Sequence, residues 1–270
     1  MNLSELRKQA HLSVSGIEDY MDCGLHFKFS RIDKLKTKYR ADALVFGGTI
    51  HKVLAEFNQE RLIGKILTTA ELQDRFEQYW TANAKGQEDI LYKKGKTFES
   101  LIHEGKELTR IFGENIEPSG MKDHTVIAIE EAFEFYLSGL PVPMIGAMDL
   151  IEEDAHEGIH IIEYKTAAAA YSADKVRTHF QLTVYQIAAK ANGYGDREIN
   201  LGIDCLIKTK EPKFERYVTA RAPVDEAKAI KRIQTVWKGI ERNVFIPNTN
   251  SWRCRDCGYL DDCNDWHRRD

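Results

Sequence analysis

The segment that most constrains this fold is 144–166, MIGAMDLIEEDAHEGIHIIEYKT. Two short apolar runs lie on either side of a polar, glycine-containing break, a pattern typical of a β-hairpin. Charged residues interrupt both runs: Asp149 in the first, and Glu163 and Lys165 in the second. Because side chains alternate along a strand, Glu163 and Lys165 should point to one face and Tyr164 to the other. Charged groups among apolar neighbours are costly to bury unless they pair, bind metal or take part in chemistry.

Pairing of the two strands would bring Asp149 beside Glu163. Two close carboxylates repel each other, and a divalent cation relieves that repulsion. Lys165 would then lie where it could orient a water molecule or stabilise developing negative charge. An exposed hairpin with an ordinary Glu–Lys pair explains the same short motif equally well. The choice between the two interpretations depends on the rest of the chain.

The chain has 270 residues, 43% hydrophobic and 30% charged, which suits one large domain or two small ones with a buried core. No apolar run is long enough to span a bilayer, and the N-terminal residues lack the apolar core of a secretory signal. We therefore expect a cytoplasmic protein with no membrane partner. The net charge of −4 excludes a simple basic nucleic-acid binder. Basic residues do concentrate in two stretches, 28–40 and 253–269, but solvated surfaces also explain them.

Periodicity divides the chain into a helical first part and a mixed second part. The first predicted helix begins near Gly16, and its apolar spacing continues past Gly24 to Phe29, although Gly24 weakens the middle. Three further predicted helices cover 41–62, 69–85 and 98–115. Pro118 and Gly120 mark the end of the helical region, and from His124 the order β-β-β-α-β-β-α follows. We expect an α/β fold in which a mixed central sheet has flanking helices and a helical N-terminal elaboration. A single domain, 1–270, would comprise a helical part (1–120), an α/β core (121–245) and a cysteine-rich tail (246–270).

A glycine pair lies near the start of the second predicted helix, and His51 follows it one turn later. Gly in a helix costs about 1 kcal/mol relative to Ala, so Gly47 and Gly48 indicate close approach by another backbone or by a ligand. A histidine without such context is more often structural than a metal ligand.

Gln181 and Tyr185 are four residues apart, so they share one face of a later helix. They suit an ordinary amphipathic surface. An amide and a phenol could also hydrogen-bond a phosphate or a catalytic water, and Tyr185 could stack on a base.

Five cysteines occur, three of them crowded into the polar tail: Cys23, Cys205, Cys254, Cys257 and Cys263. Cys205 lies in an apolar strand, as a small core residue would. Disulfides are not expected in a cytoplasmic protein, and three crowded thiols indicate a metal or cluster site. A fourth ligand is needed. Cys23 and His267 are the candidates, and His267 would favour a zinc site with three cysteines and one histidine.

Together these motifs resemble the PD-(D/E)XK nuclease superfamily, whose core motif is matched by Asp149 and the run Glu163-Tyr164-Lys165. The glycine–histidine segment 47–51 and the pair Gln181 and Tyr185 follow the order found in RecB-like members. The resemblance implies a restriction-endonuclease-like fold and a metal-dependent nuclease. It implies that Mg²⁺ or Mn²⁺ is held by these groups: His51, Asp149, Glu163 and the backbone carbonyl of Tyr164. Lys165 would position the attacking water and neutralise the transition state, while Gln181 and Tyr185 would border the active site.

The distant Cys23 with the tail pattern C-x2-C-x5-C further resembles the iron–sulfur subset of these nucleases. That subset includes AddB-type helicase–nuclease subunits, CRISPR-associated adaptation nucleases and eukaryotic single-strand exonucleases. A cluster there joins the two ends of the nuclease domain. The resemblance therefore favours a [4Fe–4S] cluster over zinc, whereas the residues alone leave the metal open.

The motifs and the resemblance together predict a metal-dependent DNA exonuclease, and the resemblance alone implies that it acts on single strands or DNA ends in repair, recombination or replication. A helicase or recombination protein is the expected partner. The alternative is an iron–sulfur DNA-end-binding subunit of a helicase–nuclease or CRISPR adaptation complex, with little activity of its own. A zinc-stapled scaffold without nucleic acid is a third hypothesis, but it leaves the charged groups of the hairpin unexplained.

Overall fold

The structure is a computed structural model that describes residues 2–116, 124–251 and 253–268. The part before the central sheet is mainly helical, as the sequence predicts. Its elements are α1 (Leu3–Leu6), α2 (Val14–Asp22), α3 (Gly24–Phe27), β1 (Arg40–Ala41), α4 (Asp42–Leu62), α5 (Thr69–Ala84), β2 (Ile90–Leu91) and α6 (Phe98–Asn115). Ser13, Thr68 and Thr97 cap α2, α5 and α6, because each side chain accepts a backbone N–H from three residues ahead. Pro118 and Gly120 lie outside the described residues.

The helix predicted to continue past Gly24 is divided in the structure. α2 ends at Asp22, Cys23 is extended (φ −155°, ψ 106°), and α3 is a single turn followed by a wider turn over Lys28–Ile32. The break has a packing reason. A Cβ on Gly24 would lie 2.8 Å from the backbone nitrogen of Ile246, so the C-terminal segment packs directly against the chain here.

A five-stranded mixed sheet forms the centre of the described structure. Its strands lie side by side in chain order: β3 (Thr125–Phe135), β4 (Met144–Glu153), β5 (Ile159–Ala167), β6 (Ile199–Ile207) and β7 (Lys213–Thr219). Only β5 and β6 are parallel, and the other three neighbouring pairs are antiparallel. The crossover that parallel pairing requires contains α7 (Ala173–Arg177) and α8 (Phe180–Ala189). α9 (Pro223–Glu241) and α10 (Leu260–Arg268) follow β7.

Helices cover both faces of the sheet. α4, α5 and α6 pack on one face, where Phe46 and Trp80 share a core with Leu150 of β4. α2, α8 and α9 cover the other face, where Ile17 and Ile233 belong to a second core. Burial on both faces explains why the central strands read as nearly continuous apolar runs. The predicted α/β architecture, with flanking helices and a helical N-terminal elaboration, is confirmed.

None of the helices within the described ranges has both the length and the apolar character needed to span a bilayer.

Candidate active site and cysteine cluster

Strands β4 and β5 separate at the centre of the sheet. Their pairing extends only to Leu150 and Ile162, so Asp149 and Glu163, the next residue on each strand, lie at a fork. Asp149 replaces part of the missing ladder, because its Oδ2 accepts a hydrogen bond from the Tyr164 N–H at 2.9 Å. β5 stays paired with β6 as far as its last residue. The fork therefore opens a gap in the sheet while the strand that carries the Glu-x-Lys motif remains extended.

Glu163 is buried, and both of its carboxylate oxygens are hydrogen-bonded. Lys165 Nζ donates to Oε1 and the Tyr185 hydroxyl donates to Oε2, each at 2.6 Å. Gln181 closes the ring: its Oε1 accepts from Lys165 at 2.8 Å and its Nε2 donates to the Tyr185 oxygen at 2.8 Å. Tyr185 is only 2% exposed, so the prediction that it could stack on a base is wrong. Gln181 and Tyr185 instead hold the side chains of Glu163 and Lys165 in place through these hydrogen bonds.

His51 reaches the fork from the opposite face of the sheet. Its Nδ1 lies 3.3 Å from Asp149 Oδ2, and its ring meets that of Tyr164 edge to face, with centroids 6.4 Å apart. Tyr164 packs in the core beneath α4 and accepts a hydrogen bond from Asn58 Nδ2 at 2.8 Å. The predicted alternation, with Tyr164 facing away from Glu163, is thus seen in the structure. All the residues predicted for the active site come together at this fork.

Burial and the charges of neighbouring groups shift the pKa values of the ionisable side chains at the fork. Burial, followed by the charge of Asp149, raises the pKa of Glu163 even though Lys165 and His51 oppose the shift. Burial lowers the pKa of His51, but its contact with Asp149 outweighs burial and leaves that pKa raised. Burial also opposes the charge on Lys165, yet Glu163 raises its pKa overall. Two carboxylates held this close form an anionic pocket that a divalent cation would stabilise.

The donor set at the fork fits Mg²⁺ or Mn²⁺, since it offers two carboxylates and an imidazole. The Tyr164 carbonyl adds an oxygen, because an extended residue points its N–H and C=O to the same edge of the strand. As the side chains stand, however, no group of three or more His, Cys, Asp or Glu within the described ranges is arranged to hold a metal. At Glu163, Lys165 and Tyr185 already donate hydrogen bonds to both carboxylate oxygens. Metal binding would have to replace one of these contacts.

An open surface on α4 adjoins His51. Gly47, Gly48 and Lys52 line a cavity of about 680 Å³ beside it. A Cβ on Gly48 would meet no atom within 4 Å, and one on Gly47 would meet only the Thr166 hydroxyl oxygen at 3.9 Å. Contacts within the described structure therefore do not explain this glycine pair. Close approach by a ligand remains a prediction.

Two further residues near the fork were missed by sequence reasoning. Burial raises the pKa of Glu18 on α2, and Lys165 is the strongest opposing influence. Burial also raises the pKa of Tyr171, again against Lys165, and its ring lies between those of His179 and Tyr217 at centroid distances of 6.2 and 6.1 Å. Tyr171 could have been found from its position just after the Glu-x-Lys strand. Glu18 is far from the motifs along the chain, so spacing gave no signal.

The family model of the PD-(D/E)XK nuclease superfamily matches residues 11–264. The chain belongs to this superfamily. Its nucleases are hydrolases that act on nucleic acid, and they typically use Mg²⁺ or Mn²⁺. The matched range contains every predicted site residue from Cys23 to Cys263. Membership of the iron–sulfur subset remains a prediction.

A solved structure has a similar fold. A crystal structure named "Putative exonuclease", from Eubacterium rectale, is 15% identical and covers 96% of this chain and 88% of its own, with a TM-score of 0.56. This likeness supports the restriction-endonuclease-like sheet that the motifs imply. The crystal structure of SSO0001 is 13% identical and covers 96% of this chain and 89% of its own, with a TM-score of 0.42. Comparison with curated proteins gives no match.

Four of the five cysteines line one small cavity of about 50 Å³: Cys23, Cys254, Cys257 and Cys263. All five thiols are free, and Cys205 is fully buried in β6, as predicted. Burial, with the charges of neighbouring thiols, raises the pKa values of Cys257 and Cys263. Four thiols in one cavity are suitable donors for zinc or for an iron–sulfur cluster, although their present arrangement is not a metal-holding one within the described ranges.

The structure distinguishes between Cys23 and His267, the two candidates for the fourth ligand. Cys23 lines the cavity, whereas His267 does not. His267 Nδ1 lies 2.8 Å from the Cys263 carbonyl oxygen and 3.7 Å from its sulfur. His26, which sequence reasoning missed, does line the cavity, and its Nδ1 is buried without a hydrogen-bond partner among the described residues. Its position three residues after Cys23 was the available signal.

The two ends of the chain meet at this cavity. Arg253 Nη1 donates to Asp19 of α2 at 2.7 Å, and the Asn248 side chain donates to the Asp22 carbonyl at 2.8 Å. The Lys38 N–H donates to the Gly258 carbonyl at 3.2 Å. Apolar contacts add to these polar ones, because Tyr259 of the tail is buried against Leu25 and Phe29.

Proposed function

We propose that this nuclease is a metal-dependent exonuclease that hydrolyses phosphodiester bonds of DNA at single strands or ends. The convergence of Asp149, Glu163 and Lys165 with His51 at the fork carries the proposal. These groups come from three separate elements, β4, β5 and α4. A structural ion pair would need Glu163 and Lys165 but would gain nothing from a second carboxylate and an imidazole beside them.

His51, Asp149, Glu163 and the Tyr164 carbonyl would hold Mg²⁺ or Mn²⁺. When bound, the metal polarises the phosphodiester and lowers the pKa of a coordinated water. Lys165 keeps its proton because its pKa is raised, so it supplies a fixed positive charge to the attacking water or to a phosphate oxygen. Gln181 and Tyr185 act as positioning residues, since they orient Lys165 and Glu163 through the hydrogen bonds described above.

The choice of DNA, and of ends or single strands, rests on the resemblance of the motif set to RecB-like exonucleases. The name of the Eubacterium rectale relative is consistent with it. The four cavity cysteines would hold a [4Fe–4S] cluster, with zinc as the second choice. A helicase or recombination protein would deliver the strand. The second candidate function, an iron–sulfur DNA-end-binding subunit, is favoured by one observation: Lys165 and Tyr185 occupy the oxygens that a metal would need.

Purified, anaerobically prepared protein should be incubated with end-labelled linear single- and double-stranded DNA and with circular single-stranded DNA, with and without Mn²⁺. We expect Mn²⁺-dependent degradation of linear DNA, resistance of the circle, and no cleavage by the Asp149→Asn variant. Rapid cutting of the circle would contradict the exonuclease assignment. DNA binding without cleavage under every metal condition would favour the binding subunit.

A further inference from the structure

α9 presents a cluster of exposed cations to a groove outside the fork. Lys228, Lys231 and Arg232 line this groove, which has a volume of about 820 Å³, together with α2 and the segment 246–248. The opposite side of α9 is buried in the core through Ala229, Ile233 and Val236. No carboxylate of the described residues forms an ion pair with any of the three cations. The three cations therefore line the groove without being neutralised by ion pairs within the described structure.

The groove is positive although the chain as a whole is acidic, with a net charge of −4. Asp22 is the carboxylate that lines it, and this group is already engaged. Arg253 Nε lies 3.3 Å from Asp22 Oδ2, and the Ser251 hydroxyl donates to the same carboxylate at 3.2 Å. A local surplus of cations in an acidic protein indicates a polyanionic ligand.

Arg232 joins the groove to the fork. Its guanidinium lies over the ring of Phe180, 4.7 Å from the centroid, and Phe180 directly precedes Gln181, the partner of Lys165. Glu18 of α2 lies within electrostatic range of both Lys165 and Arg232. Residues of α2, α8 and α9 thus link the groove to the fork.

We propose that the groove between α2 and α9 binds the phosphate backbone of a single-stranded nucleic acid, with Lys228, Lys231 and Arg232 as its phosphate contacts. The inference rests on the proposed nuclease function and extends it beyond the scissile bond. Lys228 and Arg232 are separated by about 6 Å along the helix axis, so they can contact successive phosphates of an extended strand. Met21, which is 54% exposed in the groove, offers an apolar surface for an unstacked base. Single-strand binding grooves commonly combine such cations with apolar or aromatic contacts.

The double variant Lys228→Gln with Lys231→Gln tests the groove, since it removes two charges and keeps a polar side chain only one atom shorter. Binding of a fluorescent oligothymidylate should be followed by anisotropy in EDTA at several salt concentrations. We expect weaker binding, with the slope of log K against log salt reduced by about 1.4, because each lost contact with a single strand removes about 0.7. The matched control is Lys34→Gln with Lys36→Gln, two exposed lysines outside the groove, which should keep the wild-type slope.

A second measurement separates the groove from the chemistry. The groove variant should show a raised KM on the oligonucleotide with Mn²⁺, but unchanged turnover of a p-nitrophenyl thymidine phosphodiester, which is too short to reach the groove. An unchanged salt slope, or an equal loss in the control variant, would overturn the inference while leaving the nuclease intact. So would weaker binding of polyglutamate with oligonucleotide binding unchanged, because that result assigns the groove to an acidic protein. Failure of the wild type to cleave either substrate would instead contradict the proposed function.

Discussion

The Tyr185 hydroxyl lies 2.6 Å from Glu163 Oε2 and 2.7 Å from the carbonyl oxygen of Ala147, so α8 is tied to both strands of the fork. Its ring packs against Phe133 with centroids 5.9 Å apart. Tyr185 thus fixes the width of the fork at the position where the two strands diverge. A buried phenol that orients a candidate metal ligand acts through that ligand and does not contact substrate.

The Tyr185→Phe variant removes this hydrogen bond and keeps the ring. A bound metal should displace Lys165, whose side chain is 27% exposed, and leave the buried Tyr185 contact with Glu163 in place. We therefore expect loss of the Tyr185 contact to lower Mn²⁺ affinity and the cleavage rate about 10- to 100-fold, as for other outer-sphere partners of metal ligands, with little loss of stability. Titration of Mn²⁺ against cleavage rate and against intrinsic fluorescence measures both effects. Tyr136→Phe is the matched control, because Tyr136 donates to Glu134 on the exposed surface. Equal effects of the two variants would contradict a positioning role.

Lys165 and the proposed metal would compete for Glu163, because Lys165 Nζ lies 2.6 Å from one of its oxygens. Lys165→Met should therefore bind Mn²⁺ at least as tightly as the wild type, yet cleave about 10²- to 10³-fold more slowly for want of the positive charge. Glu163→Gln should lose both metal binding and cleavage. Calorimetric titration with Mn²⁺ distinguishes the two, and weaker metal binding by Lys165→Met would contradict the competition.

Local patterns gave the order of elements, the alternation at Glu163 and Lys165, and the separation of Cys205 from the other cysteines. These features depend on neighbours along one strand or helix. The fork itself could not be predicted, because it depends on where β4 stops pairing with β5. The break at Cys23 was missed for a similar reason, since its cause is the distant Ile246 backbone. Burial of Tyr185 likewise depends on which face of α8 meets the sheet.

The proposed [4Fe–4S] cluster predicts a coloured protein. Cys23→Ala should bleach the visible absorbance of anaerobically purified protein and expose the tail to protease, because a cluster would link the two ends of the chain. Cys205→Ala is the control and should do neither, since Cys205 lies in the β6 core. Stoichiometric zinc without iron in the wild type would overturn the [4Fe–4S] assignment and leave a zinc site formed by the same cysteines.

Two helical glycines should respond in opposite ways to alanine. Gly48→Ala should raise the free energy of unfolding by up to about 1 kcal/mol, because the added Cβ meets no atom within 4 Å and alanine favours the helix. Gly105→Ala should lower it by about 1–3 kcal/mol, because its Cβ would lie 1.9 Å from ring atoms of Phe76. Urea denaturation measures both changes. Destabilisation by Gly48→Ala would show that α4 is packed more tightly than the structure indicates.

His179 predicts how stability depends on pH. Burial, followed by the charges of Lys165 and Arg221, lowers its pKa from 6.5 to about 4. Between these values the unfolded state binds more protons than the folded state, so the free energy of unfolding should fall as the pH drops from 6.5 towards 4. The His179→Gln variant lacks this group, so its free energy of unfolding should fall less steeply than that of the wild type. The two slopes should differ by up to about 1.4 kcal/mol per pH unit.

Urea denaturation of the wild type and of His179→Gln at intervals between pH 7 and pH 4 measures the two slopes. His103→Gln is the control, because His103 is exposed on α6, and we expect it to keep the wild-type slope. Parallel profiles for the wild type and His179→Gln would mean that the His179 ring takes up its proton without loss of folding. In that case its Nδ1, which has no hydrogen-bond partner among the described residues, must be reached by water.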